Sequence, residues 1–480
     1  MGAGILGWGA YIPLLRLPRE RIVEHTAWLN PGLRAQGRGE RAICNWDEDA
    51  LTMAVEAARD CLQGRRPTLA ELQLASTTLP FADRSNAGML AAALDLDESV
   101  ATLESGGSLR CATSSLLSRL RAGAGAGECL VVASEHRLAR PGSGGELRYG
   151  DAATALHLGD GDDVVARFLG GATMARDLVD HYRASDSRYD YALEERWIRD
   201  EGYFKLVPEV CTQALADAGL QAADVDTLVF PGPVRVGQAL CRRLGIEADA
   251  LADDLAGRCG HAGSAHPLLM LAHILEQARP EQVILVLGFG QGADALVFRV
   301  TEAIEARRPA LGVHGHLALR REETHYLRYL SFTGQIGIDW GARAEHDKRT
   351  AQSTAFRKRR AVTAFVGGRC SACGTAQFPR TRACVHCGAI DTQEEHRFAD
   401  SRAKVKSYTE DWQAHSPAPP LMYGSVSFAE GGSLMMEFTD FAPGEIAVGT
   451  PLRMVFRIKD VDEKRGFTRY FWKPAPARSA

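Results

Sequence analysis

Four cysteines in the stretch CSACGTAQFPRTRACVHC constrain the fold of this chain more than any other feature. Cys370 and Cys373 form one Cys-x-x-Cys pair, and Cys384 and Cys387 form a second after a short loop. Each pair turns two thiolates toward one point, so the four sulfurs suit a single tetrahedral zinc ion. Four protein ligands leave no position open for water, so this zinc staples the fold and does no chemistry. His386, inside the second pair, reads as a solvated neighbour and not as a fifth ligand.

A ribbon of that size accounts for little of the 480 residues, and the rest is too long for one compact core. Up to about residue 300, amphipathic helical stretches alternate with short apolar runs, the pattern of an α/β fold. NWDEDALTMAVEAARDCL predicts a helix with acidic residues near its start. ECLVVASE and VILVLGFGQGADALVFRV predict buried strands followed by Gly-rich turns. Residues 305–360 are richer in Arg, Glu, His and Tyr and read as a helical or irregular linker, with REETHYLRYL as one helical segment. The ribbon occupies 361–397. Beyond it, KVKSYTEDW, LMYGSVSFAEGGSLMMEF, PLRMVFRIKD and TRYFWKP predict the strands of a small OB-type β-barrel over 398–480.

Charge and compartment narrow the partners. Lys+Arg 56 against Asp+Glu 60 leaves a net charge of -4, which gives no electrostatic case for nucleic acid or a membrane surface. The start, MGAGILGWGAYIP, lacks the basic region and long apolar core of a signal peptide, and no later segment is apolar enough to span a bilayer. Eleven cysteines scattered mostly among apolar neighbours fit reduced thiols, so the expected location is cytoplasmic. The basic run FRKRR, with Lys348 and Arg349 upstream, reads as a solvated linker face in preference to a receptor for phosphates.

Outside the ribbon, Cys111 stands out. In SLRCATSSLLSRL small residues follow it and a helical pattern continues, which sets the thiol at a helix N-terminus, where the dipole and unpaired N–H groups favour a thiolate. From GWGAYIPLLRLPRE through NWDEDALTMAVEAARD, ASTTLPFADRSNA, LRCATSS, RYGDAATALHLGDG and GRCGHAGSAHPLL to GFGQGADA, the chain resembles the 3-hydroxy-3-methylglutaryl-CoA synthase branch of the thiolase superfamily. GGRCSACGTAQFPRTRACVHC and the terminal YFWKP resemble the zinc-ribbon and OB proteins associated with acyl-CoA enzymes. The resemblance implies a duplicated thiolase fold in αβαβα layers, with halves at 1–165 and 166–304, in a homodimer formed through that domain. It implies that Cys111 takes an acyl group from coenzyme A or acyl-carrier protein and that a second acyl group is then condensed with it.

Departures from the family pattern qualify that expectation. The resemblance implies a glutamate where ASTTLPF carries Thr77 and Thr78, and a histidine where FPGPVRVGQALCRRLG carries Pro231, Gly232 and Pro233. GRCGHAGSAHPLL supplies His261 and His266 instead, with His261 at the matching thiolase position and suited to polarise a carbonyl or move a proton. Cys259 beside them reads as packing, and the second thiolase cysteine is replaced by Val286. Gly288, Gly290 and Gly292 are expected to bring backbone to the thioester in an oxyanion pocket. The leading reading is an acyltransferase making a carbon–carbon bond by Claisen- or aldol-type condensation. The alternatives are a retro-aldol or retro-Claisen lyase, and a weakly catalytic acyl-CoA-binding scaffold that delivers intermediates to a partner.

Overall fold

The computed structural model describes residues 2–477 apart from 124, 193, 345–348 and 350; Lys348 of the basic run therefore lies outside the described residues. The chain forms two compact units, Met1–Asn45 with Asp49–Gly88 and Asp97–Tyr329, and Trp46–Glu48 with Met89–Leu96 and Leu330–Ala480.

The first unit is built on a nine-stranded mixed sheet. Its strands are β1 (Gly4–Tyr11), β2 (Leu69–Ala75), β3 (Ala101–Ser105), β4 (Glu128–Glu135), β5 (Ala152–Gly159), β6 (Ala166–Ala175), β7 (Thr227–Val229), β8 (Val283–Phe289) and β9 (Gly292–Val300). Their order is β7-β8-β9-β6-β1-β5-β4-β2-β3. Within the sheet the halves join where Gly4 and Ile5 pair with Arg167 and Ala166. One half reads β3-β2-β4-β5-β1 and the other β7-β8-β9-β6, the same winding without a counterpart of β3 among the described residues. Duplication of the thiolase-like fold is thus visible in the strand order. The run VILVLGFGQGADALVFRV is a hairpin: β8 and β9 pair antiparallel from Val283↔Arg299 to Phe289↔Ala293. Both strands are buried almost throughout, which is why they read as continuous apolar runs and not as an alternation.

Helix α1 (Ala50–Leu62) begins later than its acidic lead-in suggested, because Asp49 caps it. The Asp49 carboxylate accepts from Thr52 N–H at 2.9 Å and the Thr52 hydroxyl accepts from Asp49 N–H at 2.8 Å, a reciprocal capping box. Trp46–Glu48 belongs to the second unit, where Lys473 Nζ meets Asp47 at 3.0 Å and Arg457 Nη2 meets Glu48 at 3.0 Å. Those two acids therefore balance buried cations and do not serve the helix dipole.

Helices α2 (Cys111–Arg121) and α3 (His266–Leu275) lie in one core that draws on both halves, with Ala112, Leu116 and Leu117 among Leu268, Leu269 and Ala272. Two central helices back to back put their N-terminal ends close to the carboxyl ends of the strands, where sites of α/β proteins form. The segment REETHYLRYL divides, with Arg321–Glu322 adding a short strand beside Leu15–Pro18 and Tyr326–Phe332 forming a helix.

In the second unit, β10 (Val366–Cys370), β11 (Ala376–Gln377) and β12 (Gln393–Arg397) make a three-stranded sheet. Five further strands, β13 (Ala403–Asp411), β14 (Leu421–Phe428), β15 (Ser433–Glu437), β16 (Pro451–Asp462) and β17 (Phe467–Pro476), make an antiparallel sheet in the order β15-β14-β13-β16-β17. Alternation of buried and half-buried residues along β14 gives it one core face. That face packs an aromatic cluster in which Phe398 stands 5.7 Å from Phe365 and 4.8 Å from Phe428, centroid to centroid.

Candidate active site

Cys111 is the first residue of α2 and is 5 % exposed. The start of that helix is held from behind by Asp294 on β9, a fully buried carboxylate that accepts from four side chains. Arg110 Nη1 donates at 3.0 Å, Thr173 Oγ1 at 2.6 Å, Thr113 Oγ1 at 2.8 Å and Ser114 Oγ at 2.6 Å. Arg110 also donates through Nε to the Gly290 carbonyl at 3.2 Å, and Ser108 Oγ donates to the same oxygen at 2.8 Å. The GFGQG turn is thereby fastened to the residues that precede the thiol. Gly288 is required by close approach, since a Cβ there would lie 1.9 Å from Thr113 Oγ1. The Gly290 N–H is engaged by the Gly292 carbonyl at 3.1 Å. Gly288 and Gly290 thus stand against the start of α2, with the Gly290 amide already hydrogen-bonded within the turn, while Gly292 lies against Met174 of β6.

The charge that acts on the thiol comes from a residue that inspection of the sequence did not single out. Glu135 ends β4, is fully buried, and accepts four hydrogen bonds. Its Oε1 receives Thr77 N–H at 2.8 Å and Ser264 Oγ at 2.5 Å; its Oε2 receives Thr77 Oγ1 at 3.1 Å and Thr78 Oγ1 at 2.8 Å. Thr77 and Thr78, the positions at which a carboxylate is missing, thus orient a carboxylate supplied by a different strand. Burial pushes the Cys111 thiol up to about 12 and the Glu135 charge adds to the rise, while the Ser264 hydroxyl and the Ala112 N–H pull it the other way. Ser264, fully buried, donates to that carboxylate. It is presented by Gly263, whose φ of 51° and close approach to Arg137 and Glu135 exclude a side chain.

His261 and His266 stack with centroids 4.3 Å apart. His261 Nδ1 accepts from Gly263 N–H at 3.1 Å and its Nε2 faces the Pro231 carbonyl at 3.0 Å. His266 Nδ1 accepts from Ala262 N–H at 3.2 Å and its Nε2 faces the Asp254 carbonyl at 2.8 Å. An imidazole that accepts at Nδ1 and donates at Nε2 is neutral, and burial enforces this by lowering His266 to about 4 and His261 well below the usual range. Both rings therefore brace the loop that carries Ser264, with each nitrogen already bonded to backbone. The Pro231 carbonyl bonded to His261 belongs to the segment where the histidine is missing.

A cleft of about 410 Å³ opens beside the start of α2, lined by Ser105, Ser108, Arg110, Cys111, Ser114 and Ser118 among others. A second cavity, about 320 Å³ and lined by Arg65, His157 and Arg307, includes Glu128 at the opposite end of β4 from Glu135 and takes no part in this arrangement. Signals for the residues that reading along the sequence missed do exist. Glu135 is the charge that closes the apolar run ECLVVASE, and Asp294 is the acid within the apolar GADALVFRV.

In the ribbon, one ligand atom from each of Cys370, Cys373, Cys384 and Cys387 lies within 4.8 Å of the others. The Cys370–Cys387 and Cys373–Cys384 sulfurs stand 3.8 and 3.6 Å apart. Zn–S bonds of about 2.3 Å in a tetrahedron require sulfur–sulfur edges near 3.8 Å, so the donor set fits zinc in size and chemistry. Among the described residues, Cys44, His136 and Asp151 also converge within 4.8 Å, but Asp151 Oδ2 is already shared between the Cys44 N–H at 2.8 Å and His136 at 3.2 Å.

Comparison with known proteins bears on the family and the fold. Residues 215–300 match the family model of the 3-oxoacyl-[acyl-carrier-protein] synthase III C-terminal domain. Residues 357–391 match the ChsH2 rubredoxin-like zinc ribbon and 396–457 the ChsH2 C-terminal OB-fold domain. The hydroxymethylglutaryl-CoA synthase of Caldivirga maquilingensis is 30% identical over 319 residues, which cover 62% of this chain and 88% of that protein. That of Aeropyrum pernix is 29% identical over 347 residues, 70% of this chain and 95% of that one. Among solved structures, an HMG-CoA synthase complexed with CoA superposes with a TM-score of 0.61 at 15% identity, covering 73% of this chain and 95% of that one. PksG, an HMG-CoA synthase from Bacillus subtilis, gives 0.59 at 16% identity, covering 72% and 95%. No described helix is long and apolar enough to cross a membrane.

Proposed function

This chain belongs to the hydroxymethylglutaryl-CoA synthase family of thiolase-like condensing acyltransferases, and from that premise we propose that it forms an acyl thioester on Cys111 and joins a second acyl-CoA to it. The single observation that carries this reading is the setting of Cys111: a buried thiol at a helix N-terminus that lines a cleft of about 410 Å³. An acyl group there is an activated electrophile sheltered from water and held beside the second substrate.

The donors around Glu135 bear on which second substrate is accepted. A carboxylate has about four lone-pair sites, and all are filled here by Thr77, Thr78 and Ser264. It is therefore poorly placed to take a proton directly from an acetyl methyl group. A malonyl-type or β-keto acyl-CoA, whose carbanion arises by loss of CO₂ or by bond cleavage, needs no such base. The expected activity is thus condensation with that class of donor, with little synthase activity on acetyl-CoA plus acetoacetyl-CoA. The expected assembly is a homodimer over the open edge strand β3, where Leu103 is 55% exposed. The zinc of the ribbon is structural and holds the fold of the second unit.

Intact-protein mass spectrometry after incubation with acetyl-, malonyl- and β-ketoacyl-CoA tests the reading. The expected result is an acyl mass increment with release of free CoA, absent in Cys111→Ala. Persistence of the increment in that variant would transfer the role to another nucleophile and refute the assignment.

A further inference from the structure

Pairing of β4 with β5 sets Glu135 opposite Ala152, so the residues next outward, His136 and Asp151, come side by side. The strand Glu40–Ile43 ends beside them: Asp151 N–H donates to the Ala42 carbonyl at 3.2 Å, and Cys44 N–H donates to Asp151 Oδ2 at 2.8 Å. Strand pairing thus gathers a thiol, an imidazole and a carboxylate, with one ligand atom of each within 4.8 Å of the others. We infer that Cys44, His136 and Asp151 form a second zinc site, held within the first unit and distinct from the ribbon.

Hydrogen bonding in the cluster calls for an ion. His136 Nδ1 stands 3.2 Å from Asp151 Oδ2 yet makes no hydrogen bond, and Asp151 Oδ1 has no hydrogen-bond partner although Asp151 is 1% exposed. Buried polar atoms are nearly always satisfied, and a cation bound between ring and carboxylate satisfies both. The sulfur side points the same way, since Cys44 Sγ lies 3.7 Å from Met53 Sδ, between the 3.6 and 3.8 Å spacings of the ribbon sulfurs. Thiolate and thioether are soft donors, which suit zinc or copper(I) and not magnesium or calcium. Charge decides between the two. A Cys44 thiolate and the Asp151 carboxylate carry two negative charges, which a divalent ion cancels and a monovalent one does not. The neighbouring Arg41 cation already has a counter-charge in buried Glu146, whose carbonyl it bonds at 2.7 Å. As the zinc–sulfur bond forms, the Cys44 proton leaves to solvent, and His136 binds as the neutral imidazole. His136 directly follows Glu135, and its N–H donates to Thr78 Oγ1 at 2.9 Å, so an ion here braces the strand end that carries the Glu135 carboxylate. A single thiolate, against four in the ribbon, makes this ion the exchangeable one.

Cobalt(II), which takes the same ligands and reports a bound thiolate by a charge-transfer absorption band, is the probe. The full-length protein carrying its ribbon zinc is titrated with cobalt(II), with absorption and metal analysis of the same samples. Cobalt should bind at one per chain with the thiolate band while the ribbon zinc is retained, and added zinc should displace it. Cys44→Ser should lose the band. His136→Gln should weaken binding by at least about 10- to 100-fold, the cost of losing even a supporting partner. Cys111→Ala should keep both band and stoichiometry. Cobalt should also raise the urea midpoint of the wild type and not that of Cys44→Ser, which separates lost binding from lost folding. Should Cys44→Ser not fold, His136→Gln, changed at a half-buried position, decides alone. No cobalt uptake by the wild type beyond the ribbon overturns the site. A thiolate band that survives unchanged in Cys44→Ser and His136→Gln overturns it as well.

Discussion

In the first unit Cys111 stands alone, 5 % exposed among core residues with a carboxylate nearby, whereas in the second unit four cysteines converge with sulfurs 3.6 and 3.8 Å apart across the two pairs. The two regions set the same side chain in different surroundings. In the ribbon a metal ion replaces the protons of all four thiols and holds them deprotonated. Cys111 belongs to no such cluster among the described residues, and burial together with the Glu135 charge pushes its thiol up. A closed ligand set leaves its sulfurs no open position; a lone buried thiol at a helix start has no such commitment.

Substitutions on each side should separate these roles. The largest expected effect is complete loss of the acyl adduct in Cys111→Ala, with one zinc per chain retained, read by intact mass and by metal analysis of the same sample. Loss of zinc in that variant would break the independence of the two regions. Cys373→Ser is the complement: it should lose the metal, whose binding contributes about 10 kcal/mol or more to folding of such modules, and loosen the C-terminal region while Cys111 still acylates. Full zinc occupancy in Cys373→Ser would remove the four-sulfur assignment.

A smaller effect concerns substrate choice. Product formation from acetyl-CoA plus acetoacetyl-CoA should trail that from malonyl-type or β-keto donors by about 10²-fold or more, the least that a missing positioned base costs. Fast turnover of the first pair, measured by chromatography, would mean that Glu135 does reach the acetyl methyl group.

The smallest is a pH effect on stability in the first unit. His266, lowered to about 4 by burial, binds its proton less readily when folded than at the ordinary value near 6.5 in the unfolded chain. Its contribution is therefore complete above pH 6.5 and is lost as pH falls toward 4, by about 3 kcal/mol in all. Urea unfolding of the first unit across that range should show the slope, and His266→Asn should flatten it. An unchanged slope would remove the neutral, buried imidazole from the account.

Much of this architecture is legible along the chain. The ribbon is carried by spacing within eighteen residues, CSACGTAQFPRTRACVHC, and local chain geometry suffices to bring such pairs to one ion. The position of Cys111 at a helix start and the apolar runs of β4, β8 and β9 are likewise local properties, fixed by residue type and periodicity. Other features are not local. NWDED reads as one helical lead-in, but Asp49 caps α1 while Asp47 and Glu48 pair with Lys473 and Arg457, more than 400 positions away. His261 and His266 look like free acid–base groups until the backbone carbonyls of Pro231 and Asp254 are seen to hold them. Residue type and short spacing thus determined the metal site, the helix that bears the thiol and the class of fold. Only the tertiary structure decided which groups face that thiol, because Glu135, Thr78 and Ser264 come from three strand ends and loops that meet solely when the sheet and its two central helices pack.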